Sequence, residues 1–178
     1  MTDEELVKAC VQENASAQRM LFDRYAGKMM TVCLRYARHR MEAEDILQDA
    51  FIKVFDHLKN FEFKGSFEGW IRRIVVNTAL KGIQKMSFSH ESIGLENSPE
   101  NFEEANAISL LSEKELLRLI SELPEGYRAV FNMYVFDDFS HREIGNTLNI
   151  EESTSRSQLA KARNWLKVRI IDAQRVTI

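Results

Sequence analysis

Three groups of residues in this chain have the types and spacing to do chemistry. Asp45 and Asp49 lie four residues apart, with Glu42 and Gln48 close by, so on a helix the two carboxylates share a face. Paired carboxylates can hold a cation, and His39 is near enough in sequence to invite that reading, but no second His or Cys stands at ligand spacing. A plain solvated face is the default reading. The second group interleaves rings and cations: Phe61, Phe63, Phe67 and Trp70 with Lys64, Arg72, Arg73, Lys81 and Lys85. Single-stranded DNA is held in this way, by rings that stack on bases and cations that track phosphates, at about 1–3 kcal/mol per stacked base. That range is comparable to the few kcal/mol needed to extrude a base, so such a surface can separate strands by binding alone. Phe61 and Phe63 read better as core. Trp70, beside Arg72 and Arg73, is the better candidate for an opened strand, with Asn77 further along as a partner for bases or phosphates.

The third group is the stretch SHREIGNTLNIEESTSRSQLAKARNWLK, residues 140–167. Ser140-x-x-Glu143 is a helix-start signal in which side chain and backbone satisfy each other's free N–H groups. Ile144 and Leu148 would face inward, and Asn149 stands where the chain must turn, a residue that tolerates the left-handed conformation. A second helix then starts near Ser153, itself a good N-cap residue, with Leu159, Ala162, Trp165 and Leu166 on one side. This is the outline of a helix-turn-helix, whose second helix lies in the major groove. On that reading Thr154, Ser155, Arg156 and Gln158 face bases or nearby phosphates, while Lys161 and Arg163 reach the backbone. The alternative is a generic three-helix core with a basic surface.

The elements that position these groups all read as helices. Thr2-x-x-Glu5 and Ser112-x-x-Glu115 are capping boxes, and Pro124 is favoured at a first helical position. Apolar residues recur at helical steps through Met20, Leu21, Tyr25, Met29, Val32, Cys33 and Tyr36, again from Ala43 to Phe61, and again from Ser66 to Lys85. Between them and the later helices lies SFSHESIGLENSPENFEEANA, which is acidic, rich in turn formers and without periodicity. The expected fold is all-α: two small helical domains, 1–86 and 112–178, joined by a flexible acidic linker over 87–111, with the helix-turn-helix in the second. Seven Gly and two Pro are too few turn formers for a sandwich or barrel.

Charge is segregated along the chain. The formal net charge is −3, yet residues 61–86 hold five Lys/Arg against two Asp/Glu, and residues 87–123 hold two against eight. Ser153 to Ile178 carries six bases against Asp172 alone. A charge run by itself is usually a solvated face, but two basic stretches, each on an expected helix, carry more weight toward nucleic acid. No apolar run approaches the roughly 18 residues of a membrane span, and the start, MTDEELVKAC, is acidic rather than signal-like. Cys10 and Cys33 lack C-x-x-C spacing and read as half-buried thiols in a reducing cytoplasm.

With these blocks in view the chain resembles the sigma-70 family of transcription initiation factors, specifically its extracytoplasmic-function (ECF) group. AEDILQDAFIKVF (43–55) resembles the core-polymerase-binding helix, GSFEGWIRRIVVNTAL (65–80) the helix that reads and opens the minus-ten element, and residues 123–166 the minus-thirty-five-binding domain. The resemblance implies docking of Asp45, Gln48, Asp49 and Phe51 on the polymerase beta-prime clamp helices, with the beta flap as a further contact. It implies minus-ten binding and melting by Lys64, Phe67, Trp70, Arg72, Arg73, Asn77 and Lys81, and minus-thirty-five binding by Thr154, Ser155, Arg156, Gln158, Lys161 and Arg163. Promoter DNA and an anti-sigma inhibitor are the other implied partners. No catalytic residue, cofactor, metal or membrane insertion is expected, since the bond-forming site belongs to the polymerase. An ordinary helix-turn-helix regulator with a helical sensing or dimerisation domain is the competing function, and a metal-dependent enzyme using His39, Asp45 and Asp49 a distant third. The chain departs from the family pattern at Lys81 (often Asp), Asn149 and Ser153 (usually Gly) and Ser155 (commonly Val).

Overall fold

The computed structural model describes residues 1–87 and 113–176, with side chains described over 1–81 and 114–173. The described residues are helical or in connecting turns, with no strand among them. They divide into two compact units, Met1–Gly82 and Ile83–Ile178. The expected linker and the Ser112 capping position lie outside the described residues.

In the first unit, α1 (Asp3–Val11) starts at the expected box: the Thr2 hydroxyl accepts from the Glu5 N–H at 3.2 Å, and the Glu5 carboxylate accepts from the Thr2 N–H at 2.8 Å. Asp3, Glu4 and Glu5 add negative charge at the positive end of the helix dipole. The chain reverses through Glu13, in the left-handed region at φ 59°, and Asn14 caps α2 (Ala15–Tyr36) by accepting from the Ala17 N–H. The buried side of α2 carries Leu21, Tyr25, Met29, Val32, Cys33 and Tyr36 at three- and four-residue steps. Cys10 and Cys33 are free thiols, fully buried rather than half-buried.

α3 (Arg40–His57) begins on His39, whose Nδ1 accepts from the Glu42 N–H at 3.1 Å. His39 therefore acts as a helix cap, which accounts for its place beside the acidic helix. A 3₁₀ turn, Leu58–Asn60, leads into the loop before α4 (Phe67–Ser87). Lys53 of α3 donates to the Thr78 hydroxyl of α4 at 3.0 Å, tying the two helices together.

The second unit contains α5 (Glu113–Ser121), α6 (Glu125–Val135), α7 (His141–Leu148) and α8 (Glu152–Val176). Pro124 is the N-cap of α6 rather than its first residue, a one-position difference that leaves the reason for proline there unchanged. The core is built from Ile120, Leu123, Val130, Met133, Ile144, Leu148, Leu159, Ala162 and Leu166. The buried guanidinium of Arg128 donates to the Ser121 carbonyl at 3.0 Å, satisfying a carbonyl at the end of α5.

Candidate functional site

The helix-turn-helix is assembled by local chemistry. Ser140 and Glu143 form the capping box of α7, and Asn149 ends that helix in the left-handed conformation at φ 56°, ψ 48°. The Ile150 N–H then bonds the Gly145 carbonyl at 3.0 Å, which folds the turn back on α7. That approach is possible because Gly145 has no side chain: a Cβ there would lie 2.8 Å from the Ile150 carbonyl oxygen. Gly145 escaped the sequence reading because nothing in a window of residues shows which backbone atoms the turn will press against it.

α8 starts at Glu152, so Ser153 lies inside the first turn instead of capping it. Arg156, Lys161 and Arg163 are exposed as expected, and Thr154 is half-buried. Arg156 pairs with Glu152 one turn earlier, and the Arg163 guanidinium lies 6.0 Å from the centre of the Tyr134 ring. Ser155 corrects the expectation. It is completely buried, at 0% exposure, and its hydroxyl lies 2.9 Å from His141 Nδ1, so it faces α7 and not solvent. Gln158 is half-buried beside the start of α6, where a Cβ on Gly126 would meet its amide at 3.7 Å. Ser157 was not singled out, yet it is exposed and shares a face with Lys161 four residues on.

On α4 the residues expected to meet an opened strand separate into two sets. Trp70, Arg73, Asn77 and Lys81 follow one another at three- and four-residue steps and form one stripe, with Trp70 half-buried and the others exposed. Arg72, two residues from Trp70, projects from the other side of the helix. It bonds Glu68 at 3.2 Å, and Glu68 also takes Lys28 of α2 at 2.6 Å. Those two cations lower the Glu68 pKa from its ordinary value, with the Lys28 hydrogen bond as the largest cause. Phe67 is buried between Tyr25, Phe61 and Trp70, with its ring stacked on Trp70 at 5.8 Å between centres. Phe67 is therefore a support for Trp70, and the expectation that it contacts DNA is corrected by its burial. Phe61 is buried too, whereas Phe63 is exposed and held at φ 57° in the loop. Lys64 is exposed beside Glu62 at 2.6 Å.

On α3 the exposed residues Asp45, Gln48 and Asp49 share a face, and two exposed apolar side chains extend it, Met41 and Ile52. Ile52 is 59% exposed. Phe51 corrects the expectation: it is 2% exposed and packs edge-on against Phe22, with ring centres 4.8 Å apart. It holds α3 on α2 and cannot present itself to a partner. Among the described residues no three His, Cys, Asp or Glu side chains converge as a metal site would require.

Comparison with known proteins gives these surfaces a context. Residues 21–87 match the family Sigma-70 region 2, and residues 113–166 match Sigma-70, region 4. The ECF RNA polymerase sigma-E factor of Escherichia coli K12 is 30% identical, over 92% of this chain and 91% of that protein. ECF sigma factor SigW of Bacillus subtilis is 28% identical, over 85% of this chain and 88% of that protein. SigE of Mycolicibacterium smegmatis is 28% identical over 83% of this chain, a match that spans 59% of that longer protein. Two solved structures share the fold: CnrH, in complex with the cytosolic domain of CnrY (TM-score 0.54, 19% identity, covering 96% of this chain and 97% of that one), and Bartonella quintana RpoE, in complex with the anti-sigma factor NepR (0.55, 15%, 86% and 96%). With both regions present in order and a relative similar along nearly its whole length, the chain belongs to the sigma-70 family of transcription initiation factors, in its extracytoplasmic-function group.

Proposed function

We propose that this chain brings core RNA polymerase to a particular set of promoters and helps to open the DNA there. The observation that carries the reading is the division of exposed chemistry between the two units. The first has a polar face with apolar flanks on α3 and an aromatic-cationic stripe on α4. The second presents Arg156, Ser157 and Lys161 from the second helix of a helix-turn-helix. Each surface fits a different contact of one initiation complex.

On this reading Asp45, Gln48 and Asp49 dock on the beta-prime clamp helices of the polymerase, and the second unit rests near the beta flap. Trp70 stacks on or wedges an unpaired base of the minus-ten element while Arg73 and Lys81 hold phosphates and Asn77 meets a base or phosphate. Arg156 reads base edges of the minus-thirty-five element in the major groove, and Lys161 and Arg163 follow the backbone. Strand opening is driven by binding energy, and bond formation stays with the polymerase. The site of action is the cytoplasm; among the described residues no helix is long and apolar enough to cross a membrane. An anti-sigma protein is a further expected partner, in keeping with the complex of RpoE with the anti-sigma factor NepR.

The test is co-purification of the chain with core polymerase, followed by sequencing of the transcripts that the reconstituted holoenzyme starts on genomic DNA. A shared upstream sequence pair among those starts is the expected result. A chain that binds duplex DNA tightly by itself and ignores core polymerase would instead be an ordinary helix-turn-helix regulator.

A further inference from the structure

Two buried polar side chains face each other across the helix-turn-helix. His141 is the first residue of α7, and Ser155 stands in the first turn of α8, with Nδ1 and Oγ 2.9 Å apart. The imidazole also stacks on Tyr134 of α6, with ring centres 4.5 Å apart and planes 20° from parallel. One ring on α7 thus touches both α6 and α8, and the serine it holds lies between Thr154 and Arg156.

We infer that His141 is a positioning residue for duplex recognition, setting the first turn of α8 through Ser155, and that it does so as the neutral imidazole. The inference rests on the reading of α8 as the duplex-contacting helix. Geometry disfavours a charged ring at this place. His141 lies at the N-terminus of α7 and bonds into the first turn of α8, so the positive ends of two helix dipoles lie beside it. Arg156 and Arg163 of α8 add two cations, Glu152 of the same helix opposes them, and Tyr134 is the titratable group packed against the ring from α6. Burial is the first cause that lowers the ring's pKa from its ordinary 6.5, with Arg156 and Arg163 adding to it. The neutral form therefore holds above pH 6.5, and the arrangement becomes strained as the pH falls from there through the lowered value. The turn that carries Thr154 and Arg156 is what an imidazolium would displace.

The experiment places two templates in one reaction: a promoter found by the transcript sequencing above, and the same promoter with its upstream element scrambled. The ratio of the two products removes any effect of pH on the polymerase itself. Wild-type holoenzyme should lose this preference progressively as the pH falls from 7.5 to 5.5, by about twofold at the pH where half of the rings are charged. A variant combining His141→Phe with Ser155→Ala keeps a ring against Tyr134 and leaves no polar group unsatisfied. Its ratio should be lower than wild type at pH 7.5 and flat with pH. A wild-type ratio that stays constant or rises on acidification overturns the inference, as does a variant whose ratio still falls. Should the double variant fail to fold, the wild-type pH profile decides alone. Arg156→Ala is the control for the underlying reading. If it leaves the preference intact, α8 is not the reading helix; if it abolishes the preference while the wild-type ratio is flat with pH, only the role of His141 fails.

Discussion

Gly145 and Ile150 meet backbone to backbone across the helix-turn-helix, the Ile150 N–H bonding the Gly145 carbonyl while its own carbonyl fills the space a Cβ would take. Gly145→Ala would gain about 1 kcal/mol of helix propensity. Against that, a contact of 2.8 Å with a backbone oxygen cannot be relieved by turning a side chain. Overpacking of this kind costs about 1–3 kcal/mol. The substitution should lower the melting temperature of the second unit, by about 4–8 °C for each net kcal/mol. A calorimetric trace unchanged from wild type would show that the turn has slack.

Gln48→Ala combined with Asp49→Lys should weaken capture of core polymerase while leaving helical content and melting temperature unchanged, because both side chains are exposed. Ile52→Ala should have the same direction of effect, since an exposed aliphatic side chain gains only when a partner covers it. Pull-down of core polymerase at wild-type level by both variants would remove the α3 face from the interface.

Arg156→Ala and Lys161→Ala should differ in kind. A bidentate base contact is worth about 1–3 kcal/mol of discrimination, so loss of Arg156 should relax preference within the upstream element. Phosphates carry no sequence information, so loss of Lys161 should weaken all templates alike. Equal losses on intact and mutated upstream elements for both variants would mean the two roles are misassigned.

Trp70→Ala should show two separable defects. The indole packs on Phe61 and Phe67 at 5.3 and 5.8 Å between ring centres, so the first unit should melt at a lower temperature. Below that temperature, loss of a stacking contact of about 1–3 kcal/mol should still block strand opening. A template already mismatched open over the minus-ten region should restore transcription. Failure of that template with a folded variant would assign Trp70 to the core alone.

Glu68 gives a prediction in pH. Its carboxyl is held below the ordinary value by Lys28 and Arg72, so the stability it contributes is present above the unfolded value of about 4.5 and is lost as the pH falls through the lowered one. Lys28 is 62% exposed and solvent screens the pair, which limits the effect to within about 1 kcal/mol. Glu68→Gln should therefore lower the melting temperature slightly at pH 7, and the gap from wild type should close as the solution is acidified. A gap that persists under strong acid would point to packing instead.

What the sequence makes legible here is local. The boxes at Thr2 and Ser140 and the left-handed Asn149 involve partners within a few residues, so their chemistry can be read directly. Phe51, Phe67 and Ser155 have neighbours in sequence on the contact surfaces, but each is claimed by a partner distant in sequence: Phe22, Tyr25 and His141 respectively. Arg72 stands close to Trp70 along the chain, but residues two apart on a helix lie on different faces, and Arg72 bonds Glu68, which also takes Lys28. Periodicity finds helices; it does not show which of two neighbouring arginines faces outward.

The burial of Cys33 bears on how such a factor can be switched. Its thiol is completely enclosed and its pKa is pushed up to about 12 by desolvation, and that of Cys10 is raised by the same cause. Oxidants attack the thiolate, and a thiol with that pKa is ionised in only about one part in 10⁵ at neutral pH. While the fold is intact, neither sulfur is chemically available to peroxide or to a small disulfide. An oxidant therefore reaches these two sulfurs only when the first unit opens.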